Sequence, residues 1–129
     1  FDGKRRSLAG AFKLINPPTL PRNVELVVGY FEHSLLRWKR GNQEPVAFVH
    51  IDCDLYKSTK DALSLLNERI VPGTILVFDE LRDWAEQGVY ERWREGEAKA
   101  LFEWCGEFNR CVAPLHRTTW IEGSFRVEK

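Results

Sequence analysis

Two continuous apolar runs dominate the hydrophobic pattern of the chain, at residues 46–51 and 74–78. Runs without alternation are typical of strands that are covered on both faces, as in a parallel sheet. Between them, apolar residues recur at helical spacing over residues 59–70, and Pro72 and Gly73 follow as a helix stop. The pattern therefore predicts a strand, a crossover helix and a second, parallel strand with right-handed topology.

Shorter patterns predict the other elements of the chain. A proline-dense segment is expected to be a loop, apolar runs bounded by turn residues are expected to be strands, and amphipathic segments are expected to be helices. In chain order these are a loop-rich lead-in over residues 1–23, a strand over 24–28, a helix over 32–40, a long helix over 91–108, and two strands over 112–121 and 124–127. The apolar stripe of the long helix also includes one charged residue, and its members are Trp93, Glu97, Ala100, Leu101, Trp104 and Phe108.

Together these elements predict one α/β domain over residues 1–129. A length of 129 residues allows one domain, and an apolar content of 43% suffices for a core. We expect a mostly parallel sheet with helices on its faces. The last two strands are close enough in sequence to form a C-terminal antiparallel hairpin.

The composition of the chain argues against several classes of function. The 19 basic and 19 acidic side chains cancel, so we expect no nucleic-acid partner, and the apolar runs are too short to span a membrane. No signal peptide is readable within residues 1–129, and a targeting segment upstream of Phe1 stays open. The three cysteines do not form a disulfide framework, so a reducing, cytoplasmic location is expected.

Acidic residues follow both strong strands at the point where each strand ends. Asp52 and Asp54 follow the first run, and Asp79 and Glu80 follow the second. Parallel sheets bind ligands outside the carboxyl ends of their strands, and neighbouring strands lie about 5 Å apart. Carboxylates at that spacing repel one another unless a proton or a cation bridges them, which favours a site for Mg²⁺ or a similar ion. The alternative is that these acids cap the loops and helices that follow.

Three longer motifs include or follow these acids: HIDCDLYKST at residues 50–59, VPGTILVFDE at 71–80 and WREGEAKA at 93–100. Together they resemble the macrocin O-methyltransferase family, over a stretch from about residue 10 to about residue 108. The resemblance implies a class I methyltransferase (Rossmann-like) fold and S-adenosylmethionine as the methyl donor. It also implies assistance by Mg²⁺ or Mn²⁺ and a small hydroxylated substrate of the natural-product type.

The resemblance also implies roles for individual residues near the strand ends. Asp52, Asp79 and Glu80 stand where the family binds its metal, although many members have Asp where this chain has Glu80. Asp52 is for the same reason a candidate for the catalytic centre. His116 lies in the C-terminal part, where the family places a catalytic histidine, and a structural role on a strand is the alternative. His50 lies inside an apolar strand and is expected in the core.

The residues after the predicted strand at 24–28 resemble the family's loop that borders the adenine of the cofactor. They are Gly29, Tyr30, Phe31 and Glu32, and an ordinary strand-to-helix turn is the alternative. None of the nine glycines is separated from another by a single residue, so the chain has no G-x-G turn for a cofactor. We therefore expect the chain to be the C-terminal portion of a methyltransferase domain.

Three functions remain open from the sequence. The first is part of a metal-assisted O-methyltransferase with a small-molecule substrate. The second is a non-catalytic half-domain that forms a homo-oligomer, or binds another chain, through an uncovered sheet edge. The third is a phosphoacceptor signalling domain, which fits less well because no Lys ends a later parallel strand.

Overall fold

The computed structural model describes residues 14–83, 88, 90–117 and 121–129 of the chain. Within these ranges no helix combines the length and the apolar character needed to cross a bilayer. The elements are, in chain order, α1 (Phe31–Gly41), β1 (Val46–Ile51), α2 (Tyr56–Leu66), β2 (Ile70–Phe78), a 3-10 turn (Trp93–Glu95), α3 (Glu97–Glu107), β3 (Val112–Arg117) and β4 (Gly123–Val127).

The predicted strand–helix–strand unit is confirmed, because β1 and β2 are parallel neighbours joined by α2. Ile51 pairs with Phe78 at the carboxyl ends of the two strands, and Val46 pairs with Ile70 at their beginning. The register shifts between these two points, after Val46. At this shift the hydroxyl of Thr74 donates to the carbonyl of Val46 at 2.6 Å and accepts from the backbone of Val71 at 3.1 Å. The irregular backbone therefore keeps its hydrogen bonds.

The boundary between α2 and β2 differs from the prediction. The helix ends at Leu66 and β2 begins at Ile70, whereas the sequence pattern extended the helix to residue 70 and began the strand at 74. Ile70 is fully buried and pairs with β1, so its apolar side chain serves the strand rather than the helix. Ile70 fits the helical spacing of α2 and also the apolar run of β2, and its pairing with β1 decides between them.

The sheet is mixed, so the prediction of a mostly parallel sheet is wrong for the described strands. Their order is β1-β2-β4-β3, and β1 with β2 is the one parallel pair among them. β4 is antiparallel to both β2 and β3, which confirms the C-terminal hairpin. A parallel return needs a crossover of a dozen or more residues. The short connection between β3 and β4 therefore makes that pair antiparallel.

The strand predicted at residues 24–28 is wrong, since these residues pair with no strand in the described part of the chain. Val24, Leu26 and Val28 are 48%, 50% and 69% exposed. Strand propensity is largely a preference for a pleated, half-buried surface, and these three side chains remain about half exposed or more.

The long helix predicted over residues 91–108 is also interrupted. A 3-10 turn at Trp93–Glu95 comes first, Gly96 leaves the helical conformation with φ −102° and ψ −135°, and α3 begins at Glu97. The apolar stripe predicted for this helix is nevertheless buried along α3. The interruption at Gly96 sets the position at which the Glu97 side chain enters the core.

The core lies between the sheet and the pair of helices α2 and α3, and Trp104 is its largest fully buried side chain. The indole nitrogen of Trp104 donates to Asn67 Oδ1 at 3.1 Å, and Arg110 donates to the same oxygen at 3.0 Å. The buried polar atom of Trp104 is therefore satisfied, as burial requires. The other buried apolar residues are Ile51, Ala62, Leu63, Leu66, Ile70, Leu76, Phe78, Leu81, Ala98, Ala100, Leu101 and Val127.

Candidate active site

The parallel pairing of β1 and β2 brings their acidic ends to one edge of the sheet. Ile51 and Phe78 are register partners, and the backbone N–H of Asp79 donates to the carbonyl of Ile51 at 3.0 Å. Asp52 and Asp79 therefore follow directly on paired positions. This is the carboxyl edge at which α/β sheets bind ligands.

Three carboxylates meet at this edge, and we call Asp52, Asp54 and Glu80 the acidic cluster. Each residue offers one oxygen, and these oxygens all lie within 4.8 Å of one another. Asp52 and Asp54 are exposed, whereas Glu80 is partly buried. Asp54 has a left-handed backbone, with φ 58°, in the loop that leaves β1. The cluster thus contains two of the three metal ligands predicted from the sequence, together with Asp54.

The third predicted ligand, Asp79, lies outside the acidic cluster. Its Oδ1 is 3.7 Å from Nε2 of His50, and both side chains are about half exposed, at 46% and 48%. The expectation that His50 belongs to the core is therefore wrong. His50 lies on β1, an edge strand of the described sheet, and its side chain is left partly exposed there.

Glu80 is the member of the cluster with the most unusual electrostatics. Burial raises the pKa of Glu80 to about 7, and the nearby carboxylates of Asp54, Glu97 and Asp79 act in the same direction. Its Oε2 is buried and has no hydrogen-bond partner in the described part of the chain. An unpaired buried oxygen beside two other carboxylates is a suitable ligand position for a cation.

Glu97 is a fully buried carboxylate behind the acidic cluster, and the sequence pattern missed its role. Its Oε1 accepts from the backbone N–H of Cys53 at 3.1 Å, and its Oε2 accepts from that of Glu80 at 3.3 Å. Burial raises the pKa of Glu97, while hydrogen bonds from the backbone of Cys53, Glu80 and Asp54 oppose that rise. The signal in the sequence was a charged residue on the apolar stripe of a helix.

All four residues predicted to border the cofactor line one cavity of about 400 Å³. Gly29 has φ +137°, a conformation that favours glycine, and helix α1 starts two residues later. The opposite wall is the start of α2, and the ammonium of Lys57 lies 2.5 Å from Asp61 and 3.4 Å from Glu32. The lining residues are Gly29, Tyr30, Phe31, Glu32, Leu55, Lys57, Ser58 and Asp61.

A second, more open cleft of about 470 Å³ adjoins the first cavity, with Leu55 and Lys57 lining both. Asp54 of the acidic cluster lines this second cleft, so the cluster borders it directly. Its other lining residues are Tyr56, Tyr90, Arg92, Glu95 and Gly96.

Tyr90 packs over Gly96 on the wall of the second cleft. Its hydroxyl occupies the space where a Cβ at residue 96 would lie. Burial raises the pKa of Tyr90, and the carboxylates of Glu97, Glu80 and Asp54 add to the rise, so the phenol stays protonated. Tyr90 therefore presents a hydrogen-bond donor close to the acidic cluster.

His116, the predicted catalytic histidine, lies two strands away from β2. It is exposed on β3 and pairs with Ser124 of β4, which in turn pairs with Val77 of β2. Two strand spacings amount to about 10 Å. The structure places His116 at the same edge of the sheet as the acidic cluster but does not bring it into the cluster.

One family model matches the chain, that of the macrocin O-methyltransferases (TylF), over residues 11–99. No curated protein sequence shows significant similarity to the chain.

Solved structures of similar fold are also methyltransferases by their descriptions. CalS11, described as a TDP-rhamnose 3'-O-methyltransferase of calicheamicin biosynthesis, is 25% identical with a TM-score of 0.57, over 76% of this chain and 38% of CalS11. The O-methyltransferase NovP is 19% identical with a TM-score of 0.63, over 85% of this chain and 40% of NovP. The chain thus spans less than half the length of either protein.

The packing of Tyr90 on Gly96 predicts the outcome of a double-mutant cycle. Gly96→Ala should destabilise the fold by about 1–3 kcal/mol, because the added methyl group meets the phenol ring. In a Tyr90→Phe background the same change should cost less, since the hydroxyl makes the closest contact. Urea unfolding followed by circular dichroism measures all four variants.

Gly106→Ala is the matched control for that cycle. Gly106 lies within α3 and has no atom within 4 Å of the position of an added Cβ. Alanine there should stabilise the protein by about 0.5–1 kcal/mol through helix propensity. Equal effects of Gly96→Ala with and without the Tyr90 hydroxyl would contradict the proposed contact.

Proposed function

Because the chain belongs to the macrocin O-methyltransferase family, we propose that the complete protein is an S-adenosylmethionine-dependent, metal-assisted O-methyltransferase. We propose a sugar hydroxyl of a natural-product-type molecule as its acceptor, and CalS11, described as acting on TDP-rhamnose, supports this choice. One observation carries the proposal: the acidic cluster borders a cleft that adjoins the cavity lined by Gly29, Tyr30, Phe31 and Glu32.

The residues at the acidic cluster fit Mg²⁺ or Mn²⁺. Every donor is a carboxylate oxygen, which hard divalent cations prefer, and Glu80 Oε2 lacks a hydrogen-bond partner in the described part of the chain. We propose that Asp52 and Glu80 hold the ion, with a third carboxylate from Asp79 or Asp54. A bound divalent ion would hold the acceptor oxygen and ease its deprotonation.

The chemistry proposed is a direct transfer between two bound molecules. A bound S-adenosylmethionine would supply the methyl group to the deprotonated acceptor oxygen, and its carbon–sulfur bond would break to give S-adenosylhomocysteine. With Asp79 as the third ligand, Asp54 stays free of the ion. Because Asp54 belongs to the cluster and also lines the open cleft, we propose it as proton acceptor ahead of His116. Positioning of the two reactants supplies most of the rate in such a reaction.

We propose that this chain contributes the metal-binding side and one wall of the cofactor pocket. Gly29, Tyr30, Phe31 and Glu32 would border the adenine, as the sequence resemblance implies. The chain spans 38% of CalS11 and 40% of NovP, so the remaining contacts to the cofactor would come from other parts of the complete protein.

The alternative function, association without catalysis, has one structural observation in its favour. β1 is an edge of the described sheet, and Phe48 on this strand is 59% exposed. An uncovered apolar edge strand is a surface on which another strand can pair. A homo-oligomer formed through this edge is compatible with either function.

Divalent cations should stabilise the chain against heat. With Mg²⁺ at about 100 times its dissociation constant, the melting temperature should rise by about 5–15 °C, because the ion binds the folded state only. Asp52→Asn and Glu80→Gln should each abolish most of this rise. Asp79→Asn and Asp54→Asn are compared in the same way, and the one that abolishes the rise in melting temperature identifies the third ligand.

Glu68→Gln is the control for this experiment. The Glu68 carboxylate pairs with Lys39 at 3.0 Å and lies just before the beginning of β2, away from the carboxyl ends of β1 and β2. This variant should keep the full Mg²⁺ response. A wild-type chain whose melting temperature ignores Mg²⁺ and Mn²⁺ would contradict the metal assignment.

Methyl transfer by the complete protein tests the function itself. Transfer of a labelled methyl group from S-adenosylmethionine to TDP-rhamnose should stop on addition of a chelator and return with Mg²⁺. Asp52→Asn should lower kcat by about a hundredfold or more, because charge on the acceptor oxygen loses its stabilisation. Glu68→Gln should retain full activity. Failure to bind S-adenosylmethionine at all would favour the non-catalytic alternative.

A further inference from the structure

Glu97 joins the two loops that carry the acidic cluster. One of its oxygens accepts from the N–H of Cys53, between Asp52 and Asp54, and the other accepts from the N–H of Glu80 itself. We infer that Glu97 is a positioning residue, which fixes the loop after β1 relative to the loop after β2. This inference rests on the proposed function for the metal that the two loops would hold.

The burial of Glu97 shows that it is not an ordinary solvent-exposed surface charge. The side chain has 0% exposure, and a carboxylate without charge-stabilising partners is expensive in such a position. An acidic residue in the first turn of a helix could serve the helix dipole from an exposed position. Glu97 instead accepts hydrogen bonds from two loops 17 and 44 residues away in sequence.

The helix that carries Glu97 is anchored independently of the acidic cluster. Further along α3, Glu103 accepts from the hydroxyl of Tyr56 at 2.6 Å and from the ammonium of Lys60 at 2.9 Å, both on α2. Trp104 of the same helix is buried in the core. Glu97 therefore holds the loops against a rigid support rather than moving with them.

The two loops need such a support because their own carboxylates repel. Asp54 acts on Glu80 as a like charge at close range. The loop after β2 is also held just beyond Glu80, where the N–H groups of Leu81 and Arg82 donate to the carbonyl of Ile121 at 2.9 and 3.0 Å. Those two bonds do not tie it to the loop after β1, whereas the backbone hydrogen bonds to Glu97 join the two loops. Partners behind the metal ligands set ligand geometry in this way, and their loss typically lowers metal affinity by about 10–100-fold.

Glu97→Gln tests the inference with little change of shape. The amide keeps one acceptor but turns its NH₂ group toward a backbone N–H, so one of the two loops loses its hydrogen bond. Glu107→Gln is the matched control, because Glu107 is an exposed carboxylate on the same helix. The two readouts are amide hydrogen exchange by NMR in metal-free buffer and Mn²⁺ titration of the 129-residue chain.

In Glu97→Gln, exchange should speed up at the amide of Cys53 or Glu80 while Leu76 in the sheet stays protected. Mn²⁺ affinity should fall by about 10–100-fold, and Glu107→Gln should change neither quantity. Unchanged exchange at both loop amides would overturn the inference. So would faster exchange with unchanged Mn²⁺ affinity.

Mn²⁺ binding by the wild-type chain tests the proposed function, and amide hydrogen exchange in metal-free buffer tests the role of Glu97 separately. If the wild-type chain takes up no Mn²⁺, the metal assignment fails, and hydrogen exchange alone then decides whether Glu97 restrains the loops. If Glu97→Gln does not unfold cooperatively, Glu97→Asp replaces it, because that change keeps the charge and shortens the reach by one methylene. The same two readouts then apply.

Discussion

The parallel pairing of β1 with β2 is the constraint on which the rest of the structure depends. It aligns Ile51 with Phe78, and the acids that follow these two residues must then share one edge of the sheet. Parallel pairing in turn requires the crossover helix α2, whose start forms a wall of both cavities. A single pairing in the backbone therefore sets the positions of the acidic cluster and of the clefts beside it.

Like charges brought together in this way are unfavourable, and the structure shows how the cost is met. On one side, Glu80 has a raised pKa and a buried oxygen without a hydrogen-bond partner among the described residues, so a cation would be favourable there. On the other side, Glu97 accepts hydrogen bonds from the backbone of both loops. Functional sites commonly hold such unfavourable arrangements, which packing elsewhere in the fold sustains. Here α3 and its bonds to α2 provide that packing.

The sequence predicted the parts of the fold that local pattern determines. Two continuous apolar runs and a helical period were enough for β1, α2 and β2, and the acids after each run were enough for a site at their ends. The hydrophobic pattern could not show that residues 24–28 pair with no described strand, that β4 lies beside β2, or that Asp79 lies 3.7 Å from His50. Each of these depends on contacts between distant segments. Glu97 stood on the predicted apolar stripe, but only its partners 17 and 44 residues away reveal what it does.

The central claim is that the paired ends of β1 and β2 form a divalent-metal site. The most direct measurement is anomalous diffraction from crystals of the chain grown with Mn²⁺. We expect one anomalous peak about 2.0–2.2 Å from carboxylate oxygens of Asp52 and Glu80, the distance typical of small divalent ions. Crystals with no peak there, or with Mn²⁺ bound only at other carboxylates, would contradict it.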